Sequence, residues 1–258
     1  MTTLYQHQDT LLAATADAEA NHFWFRGFRQ FVTPLLAAAA GGRTGLRLLD
    51  CGCGTGRNLS LLETWGVAAG IDYTFSGLAT ARRSGRRHVA QATSASLPFV
   101  DATFDIATSF DMLQVVPDPV EAATFGELAR VLKPGGALVL NVAAMAMLSG
   151  DHALLSEESR RYSRRELREK LSAAGFGVER ITHTNATLFP LMLAVRTLQR
   201  VRGARVAGTD IATPSPVVNG ALSALLAVEA RVVRRVSLPV GSSILCLARK
   251  RATSRPEP

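Results

Sequence analysis

The sequence predicts an α/β fold, an open parallel sheet with helices on both faces. Three observations carry that prediction. Short apolar runs of strand length alternate with helical segments between residues 46 and 184. A glycine-rich turn, Asp50-Cys51-Gly52-Cys53-Gly54-Thr55-Gly56, follows the first run and opens a helix. The chain has 258 residues, 47% hydrophobic and 19% charged. That is long enough to bury a sizeable core and too apolar for a disordered chain.

The elements follow in order. Residues 9–40 read as helical, rich in Ala and Leu around Asn21–Arg29, with Pro34 in an early turn of a second helix and Gly41-Gly42 ending it. Leu46–Asp50 is a buried strand, and residues 57–65 are the helix after the turn. Val67–Asp72 is a second strand, 75–84 a helix and His88–Ala92 a weak third strand. Phe104–Ser109 is a fourth. A helix over 119–132 should stop at Pro134-Gly135-Gly136, because proline cannot continue it and glycine takes the left-handed cap. Ala137–Val142 is a fifth strand.

The last third departs from alternation. Ser163-Arg164-Arg165-Glu166 fits a capping box, followed by Leu167, Leu171 and Ala174 at helical spacing and Gly175 after the end. Phe176–Thr184 and Ser242–Lys250 are strands six and seven. Residues 185–241 between them are too long for an ordinary connection and predict inserted helices. On the second of these, about 217–236, a wheel groups Val218, Leu222, Leu225, Leu226, Val232, Val233 and Val236 on one face. Arg231, Arg234 and Arg235 take the other. Glu229 falls within the apolar face, where pairing with a nearby arginine is expected.

Charge is uneven. The chain has 29 Lys+Arg against 21 Asp+Glu, net +8. Residues 1–158 hold 11 basic and 15 acidic side chains, net −4; residues 159–258 hold 18 and 6, net +12. Nucleic acid, an anionic substrate, a membrane surface and a merely solvated basic face all fit such a split. The arginines are interleaved with apolar helical positions and no RNA-binding motif occurs, which argues against nucleic acid. Peripheral membrane contact stays open, as does oligomeric state. Three cysteines, Cys51, Cys53 and Cys246, imply no disulfide framework. The start, MTTLYQHQDT, does not read as a signal peptide, and the apolar runs near 186–195 and 221–228 fall short of a bilayer span of about 20 residues. A cytoplasmic location is the expectation.

The glycine turn carries the chemistry. A dinucleotide fold wants G-x-G-x-x-G, with its third glycine where Arg57 stands. The third glycine is instead Gly56, after an acid at the strand end. That version has no pyrophosphate to cradle. It suits a nucleoside with a cationic sulfonium and an amino-acid tail. Asp72 closes the second strand 22 residues after Asp50, placed to hold ribose hydroxyls. With Lys-Pro-Gly-Gly before strand five, the set is specific.

Residues 46–142 resemble the core of a class I S-adenosylmethionine-dependent methyltransferase. The matching pieces are LLDCGCGTG, GIDYT, LPF, FDIATSFDMLQVVPD and LARVLKPGGALVLNV. HFWFRG, RRYSRREL and SLPVGSSILCLARK resemble a bacterial small-molecule subgroup. The resemblance implies a Rossmann-like, seven-stranded, mostly parallel sheet whose last strand is antiparallel. Asp50 and the amides of Gly52, Cys53, Gly54 and Gly56 would surround the methionine tail of S-adenosyl-L-methionine. Asp72 would hold the ribose, Tyr73 would cover the adenine, and Thr93 and Ser94 would line its edge. Phe110 would lie near the sulfonium. The family often has Asp-Ala where Thr93-Ser94 stands, and L-E-H-V where this chain has Leu113-Gln114-Val115-Val116, so no histidine base is available there. Subgroup members also tend to carry an acid where Ala153 stands and a histidine where Glu158 stands.

His152, after strand five, is then the candidate base, with His22 next, although either histidine also reads as an ordinary loop or packing residue. Trp24, Arg161 and Tyr162 are candidate substrate contacts; Arg160, Arg161 and Tyr162 also read as a lead-in to the Ser163 cap. Cys51 and Cys53 lack two further ligands at zinc spacing, so no metal site is expected. The expected activity is methyl transfer to a small, partly apolar biosynthetic metabolite. The alternatives are cyclisation or sulfonium cleavage on the same cofactor, and a basic membrane- or polyanion-binding accessory protein. The chain would divide into an N-terminal helical lid (1–42), a cofactor-binding core (43–184 and 237–250), an inserted helical cap (185–236) and a disordered tail (251–258).

Overall fold

A computed structural model describes residues 18–145, 160–190 and 214–252. Seven strands form one sheet: β1 Leu46–Cys51, β2 Gly66–Asp72, β3 Val89–Gln91, β4 Phe104–Phe110, β5 Leu132–Ala143, β6 Phe176–Thr184 and β7 Ser243–Lys250. Their spatial order is β3-β2-β1-β4-β5-β7-β6. Pairings among β1 to β5 are parallel, and β7 runs antiparallel to both β5 and β6. The chain first winds outward from β1 to β3, then returns to place β4 on the other side. That reversal opens a crevice beyond the carboxyl ends of β1 and β4, where ligands bind in such sheets.

Among the described residues, six helices cover the sheet: α1 Phe23–Ala40, α2 Leu59–Leu62, α3 Phe75–Arg83, α4 Asp118–Val131, α5 Arg164–Ala173 and α6 Pro216–Val233. The central strands are buried on both faces, which explains their continuous apolar runs. Leu48, Ile106 and Val139 point into one core with Val32 and Leu36 of α1 and Leu226 of α6. Their neighbours Leu49, Ala107 and Leu138 point into the other, with Leu128 of α4 and Leu167 and Leu171 of α5. In α5 the expected cap is formed: Ser163 Oγ accepts from the Glu166 amide at 3.1 Å.

Several expectations need correction. Pro34 lies inside α1, not in an early turn of a separate helix. Burial of Phe31, Val32, Leu35 and Leu36 holds that helix together across the missing amide. Residues 23–40 are therefore a layer of the core and not only a lid. Helix α4 ends at Val131, before Pro134, because a residue preceding proline is steered out of the helical region. Lys133-Pro134-Gly135-Gly136 belongs to β5, with a register irregularity between Phe104 and Ile106 of β4.

The buried face of α6 also differs from the one its wheel predicts. Its buried residues are Ser223, Leu226, Glu229, Ala230 and Val233, whereas Val218, Leu225, Val232 and Val236 are exposed. Among the described residues Glu229 pairs with no arginine: its carboxylate accepts from the amides of Ala186 and Thr187, both at 2.9 Å, and from Thr187 Oγ1 at 2.5 Å. It fastens α6 to the turn after β6.

Helix α6 packs along α1. Gly27 makes their approach close, since a Cβ there would fall 2.4 Å from Leu226 Cδ1. Asn219 staples the start of α1, accepting from Phe23 N at 2.7 Å and donating to Asn21 O at 2.9 Å.

Candidate functional site

The glycine turn leaves the carboxyl end of β1. Gly52, Gly54 and Gly56 all have positive φ, at 86°, 49° and 74°, a region that favours glycine. A Cβ on Gly52 would sit 2.7 Å from Met112 Cβ, and one on Gly56 would sit 2.8 Å from Ala81 Cβ. The turn is thus pressed against the segment after β4 and against α3. Its amides are used internally. Gly52 N and Cys53 N donate to Ile71 O, Gly54 N to Asp72 Oδ2 at 2.7 Å, and Gly56 N to Cys53 O. This corrects the expectation that those four amides face a ligand. What the turn offers instead is close approach to bare glycine backbone.

Asp50 ends β1 with a side chain only 1% exposed. Its register partner on β4 is Thr108, whose hydroxyl lies 2.7 Å from Asp50 Oδ1. Oδ2 has no partner. Burial, reinforced by the nearby Asp72 carboxylate, pushes the Asp50 pKa up to about 7 against the pull of Thr108. A buried acceptor with no donor is costly, so this atom calls for a cation or donor from outside the chain.

Asp72 ends β2. Its Oδ1 accepts from Thr74 N at 2.8 Å and Thr74 Oγ1 at 2.6 Å, while Oδ2 takes Gly54 N. Of about four lone-pair sites on a carboxylate, one on Oδ2 is left for a ligand. A grip on two ribose hydroxyls requires the Thr74 hydroxyl to turn away. Tyr73, next in sequence, is 51% exposed at the rim, with its carbonyl held by Gln91 Nε2 at 2.8 Å. Thr93 Oγ1 accepts from Ala95 N at 3.3 Å, and buried Ser94 Oγ takes the Thr124 hydroxyl at 2.7 Å.

Phe110 closes β4, 7% exposed, under the edge of Phe28 from α1 with ring centroids 5.1 Å apart. Asp111 follows at φ 55°. Its Oδ1 accepts from Asn141 Nδ2 at 2.9 Å and Gln114 Nε2 at 3.2 Å, and Gln114 Oε1 accepts from Ala143 N. Gln114, next to Val115 where the family often has its histidine, therefore ties the ends of β4 and β5 together.

A family model described as a methyltransferase domain matches residues 49–140. That span holds Asp50, the glycine turn, Asp72 and Phe110. Residues 49–140 form a class I S-adenosylmethionine-dependent methyltransferase domain. A probable S-adenosylmethionine-dependent methyltransferase of Mycolicibacterium smegmatis is 32% identical over 166 residues, 63% of this chain and 62% of that protein. A phosphatidylethanolamine N-methyltransferase of Cereibacter sphaeroides is 33% identical over 111 residues, 40% and 53% of the two chains. The chain therefore spans less than two-thirds of these two curated relatives. Among solved structures, the fold is shared with a Thermotoga maritima S-adenosylmethionine-dependent methyltransferase at TM-score 0.59 and 17% identity, covering 96% of this chain and all of that one. A Haemonchus contortus phosphoethanolamine N-methyltransferase in complex with S-adenosylmethionine scores 0.60 at 19% identity, covering 94% of this chain and 57% of that one.

S-adenosylmethionine is the cofactor of this methyltransferase domain, and the site suits its chemistry. The orphaned oxygen of Asp50 matches a cationic amino-acid tail, and the glycine turn admits it closely. Cys51 and Cys53 are buried; burial, with Asp50 and Asp72 beside them, holds both thiols protonated. Cys53 packs on Gly70, where a Cβ would fall 2.7 Å from its sulfur.

The other candidates fare differently. His22 is the N-cap of α1: its Nδ1 accepts from Trp24 N at 3.2 Å while its ring stacks on Phe23. That bond places the ring proton on Nε2, and burial lowers the His22 pKa, so His22 caps a helix and has no free nitrogen to act as base. Trp24 is half-buried against the α1 core. Tyr162 is 2% exposed, with its hydroxyl donating to Glu121 Oε1 at 2.6 Å. Glu121 in turn accepts from Lys170 at 2.7 Å. Tyr162 is a core residue and leaves no surface for substrate. Arg161 Nη1 donates to Ala144 O at 3.0 Å, securing the end of β5. His152 lies outside the described residues, as do Ala153 and Glu158.

One contact had no signal in the sequence. Glu19 Oε2 accepts from the Thr55 hydroxyl at 2.6 Å. The two lie 36 residues apart, so nothing local links them. Burial raises the Glu19 pKa against the pull of Thr55, Arg57 and Arg29. The segment before α1 is thereby pinned to the glycine turn.

Proposed function

We propose that this chain moves a methyl group from S-adenosylmethionine to a small, partly apolar biosynthetic metabolite in the cytoplasm. The unpartnered, buried Oδ2 of Asp50 beside the glycine turn carries the reading. Bound cofactor supplies a methyl on a positively charged sulfur, ready for in-line displacement. The chain's residues bind and orient. Asp50 receives the ammonium of the methionine tail. Asp72 receives ribose, and Tyr73 offers a face to adenine. Phe110 and Phe28 keep water from the region beyond β4, which supports an acceptor with apolar character. Holding donor and acceptor in line is the main catalytic contribution. An acceptor that must lose a proton needs a base, and His152 is the candidate for that role.

The test uses methyl-labelled cofactor with the low-molecular-weight fraction of a cell extract. S-adenosylhomocysteine and a labelled small molecule are expected. Methylthioadenosine as the sulfur product, or label found only in macromolecules, would contradict the proposal.

A further inference from the structure

Helix α6 is apolar enough in length and composition to cross a membrane, yet only 28% of it is buried inside the fold. Its inner side is occupied by α1 and by the Glu229 junction described above. Its outer side is not covered by any described residue. Val218, Ala221, Leu225, Val228 and Val232 recur there at alternating spacings of three and four, which aligns them along one face. With Val217 and Val236, the large side chains of this outer side are 39% to 82% exposed. Isolated exposed apolar residues are ordinary; a continuous helical stripe marks an interaction surface.

Its border is basic. Arg231 and Arg235 are exposed beside the stripe, and Arg234 is exposed at the helix end. Between residues 214 and 252 there are six basic side chains and one acid, Glu229, which is buried and fully engaged. A polyanion such as nucleic acid would leave the valines uncovered. A second copy of the chain would bring arginines toward arginines with no exposed acid on α6 to pair them. An anionic bilayer satisfies both halves of the face, with apolar side chains at the acyl boundary and arginines among the headgroups. Because Glu229 anchors the inner side within the fold, α6 would lie along the surface and not through it.

We propose that the outer face of α6 docks this protein on an anionic lipid surface. The idea does not depend on methyl transfer. Two kinds of vesicle test it by co-sedimentation: phosphatidylcholine alone, and phosphatidylcholine with one-third phosphatidylglycerol. The full chain is expected to pellet with the second and stay in solution with the first, and added salt should release it. Leu225→Asp with Val232→Asp should weaken pelleting at least about tenfold, and Arg231→Gln with Arg235→Gln should do likewise. The milder Val228→Ser should give a smaller loss in the same direction, and circular dichroism confirms that each variant is folded. The proposal is overturned if the wild-type chain ignores phosphatidylglycerol vesicles, or if folded valine-face variants pellet as well as it does. It is also overturned if light scattering without lipid shows a dimer that the same variants dissociate, because the face then belongs to a second copy.

Discussion

Two buried carboxylates sit in different regions of this molecule, and their surroundings differ more than their burial. Glu229, between α6 and the turn after β6, is 3% exposed and accepts from two amides and a hydroxyl. Asp50, at the crevice between β1 and β4, is 1% exposed and has one hydroxyl partner and one empty oxygen. The first is a completed structural junction. The second is an acid whose full complement of partners arrives only with a ligand. Satisfaction, not burial, separates structure from function here.

The contrast can be broken by removing each acid in turn. Glu229→Ala removes the shared acceptor of two amides and a hydroxyl, and a loss of about 2 kcal/mol in unfolding free energy is expected in chemical denaturation. Binding of S-adenosylhomocysteine below the unfolding transition should change little. Asp50→Asn should do the reverse. Calorimetric affinity for S-adenosylhomocysteine should fall about 100-fold, or about 2.7 kcal/mol. The ligand-free protein should become more stable in mildly alkaline buffer. The sign follows from its pKa, which is raised by folding: ionised Asp50 is disfavoured in the native state, so its penalty is absent below the unfolded value and grows as pH rises toward about 7. Thermal melting should therefore show Asp50→Asn above wild type at pH 8 and level with it near pH 4. A variant that binds normally, or melts lower at pH 8, would erase the distinction between the two acids.

A smaller effect belongs to the helical layer. Gly27→Ala forces Leu226 aside and should cost about 1 kcal/mol, measurable by denaturation. Leu226→Ala removes a fully buried side chain and should cost more by itself, but the double variant should lose less than the sum of the two, because the vacated space admits the new methyl.

The two regions were also unequally legible. The crevice could be read because its parts are local in sequence. An apolar run, a glycine turn and an acid each announce themselves within a few residues, and strand order follows from their succession. Helix α6 could be placed, at about 217–236 against Pro216–Val233, but its buried face could not. Apolar side chains surround most of it, so the three arginines near its end were a weak guide, and the buried face includes Ser223 and Glu229. Pro34 misled for a related reason: tertiary burial of Phe31 to Leu36 outweighs a local breaking signal. Within the crevice, the tie between Asp111, Gln114 and Asn141 joins two adjacent strands through side chains, and the Glu19–Thr55 contact joins residues remote in sequence. Neither leaves a pattern in the order of residues.

The central claim is that the open oxygen of Asp50 receives the cationic tail of the cofactor. Calorimetry of S-adenosylhomocysteine binding between pH 6 and pH 8, in wild type and Asp50→Asn, tests it most directly. With a ligand-free pKa near 7, wild-type affinity should climb about tenfold across that range as the carboxylate ionises, and the Asn variant should stay flat. A flat wild-type profile, or an equal climb in both proteins, would contradict the account.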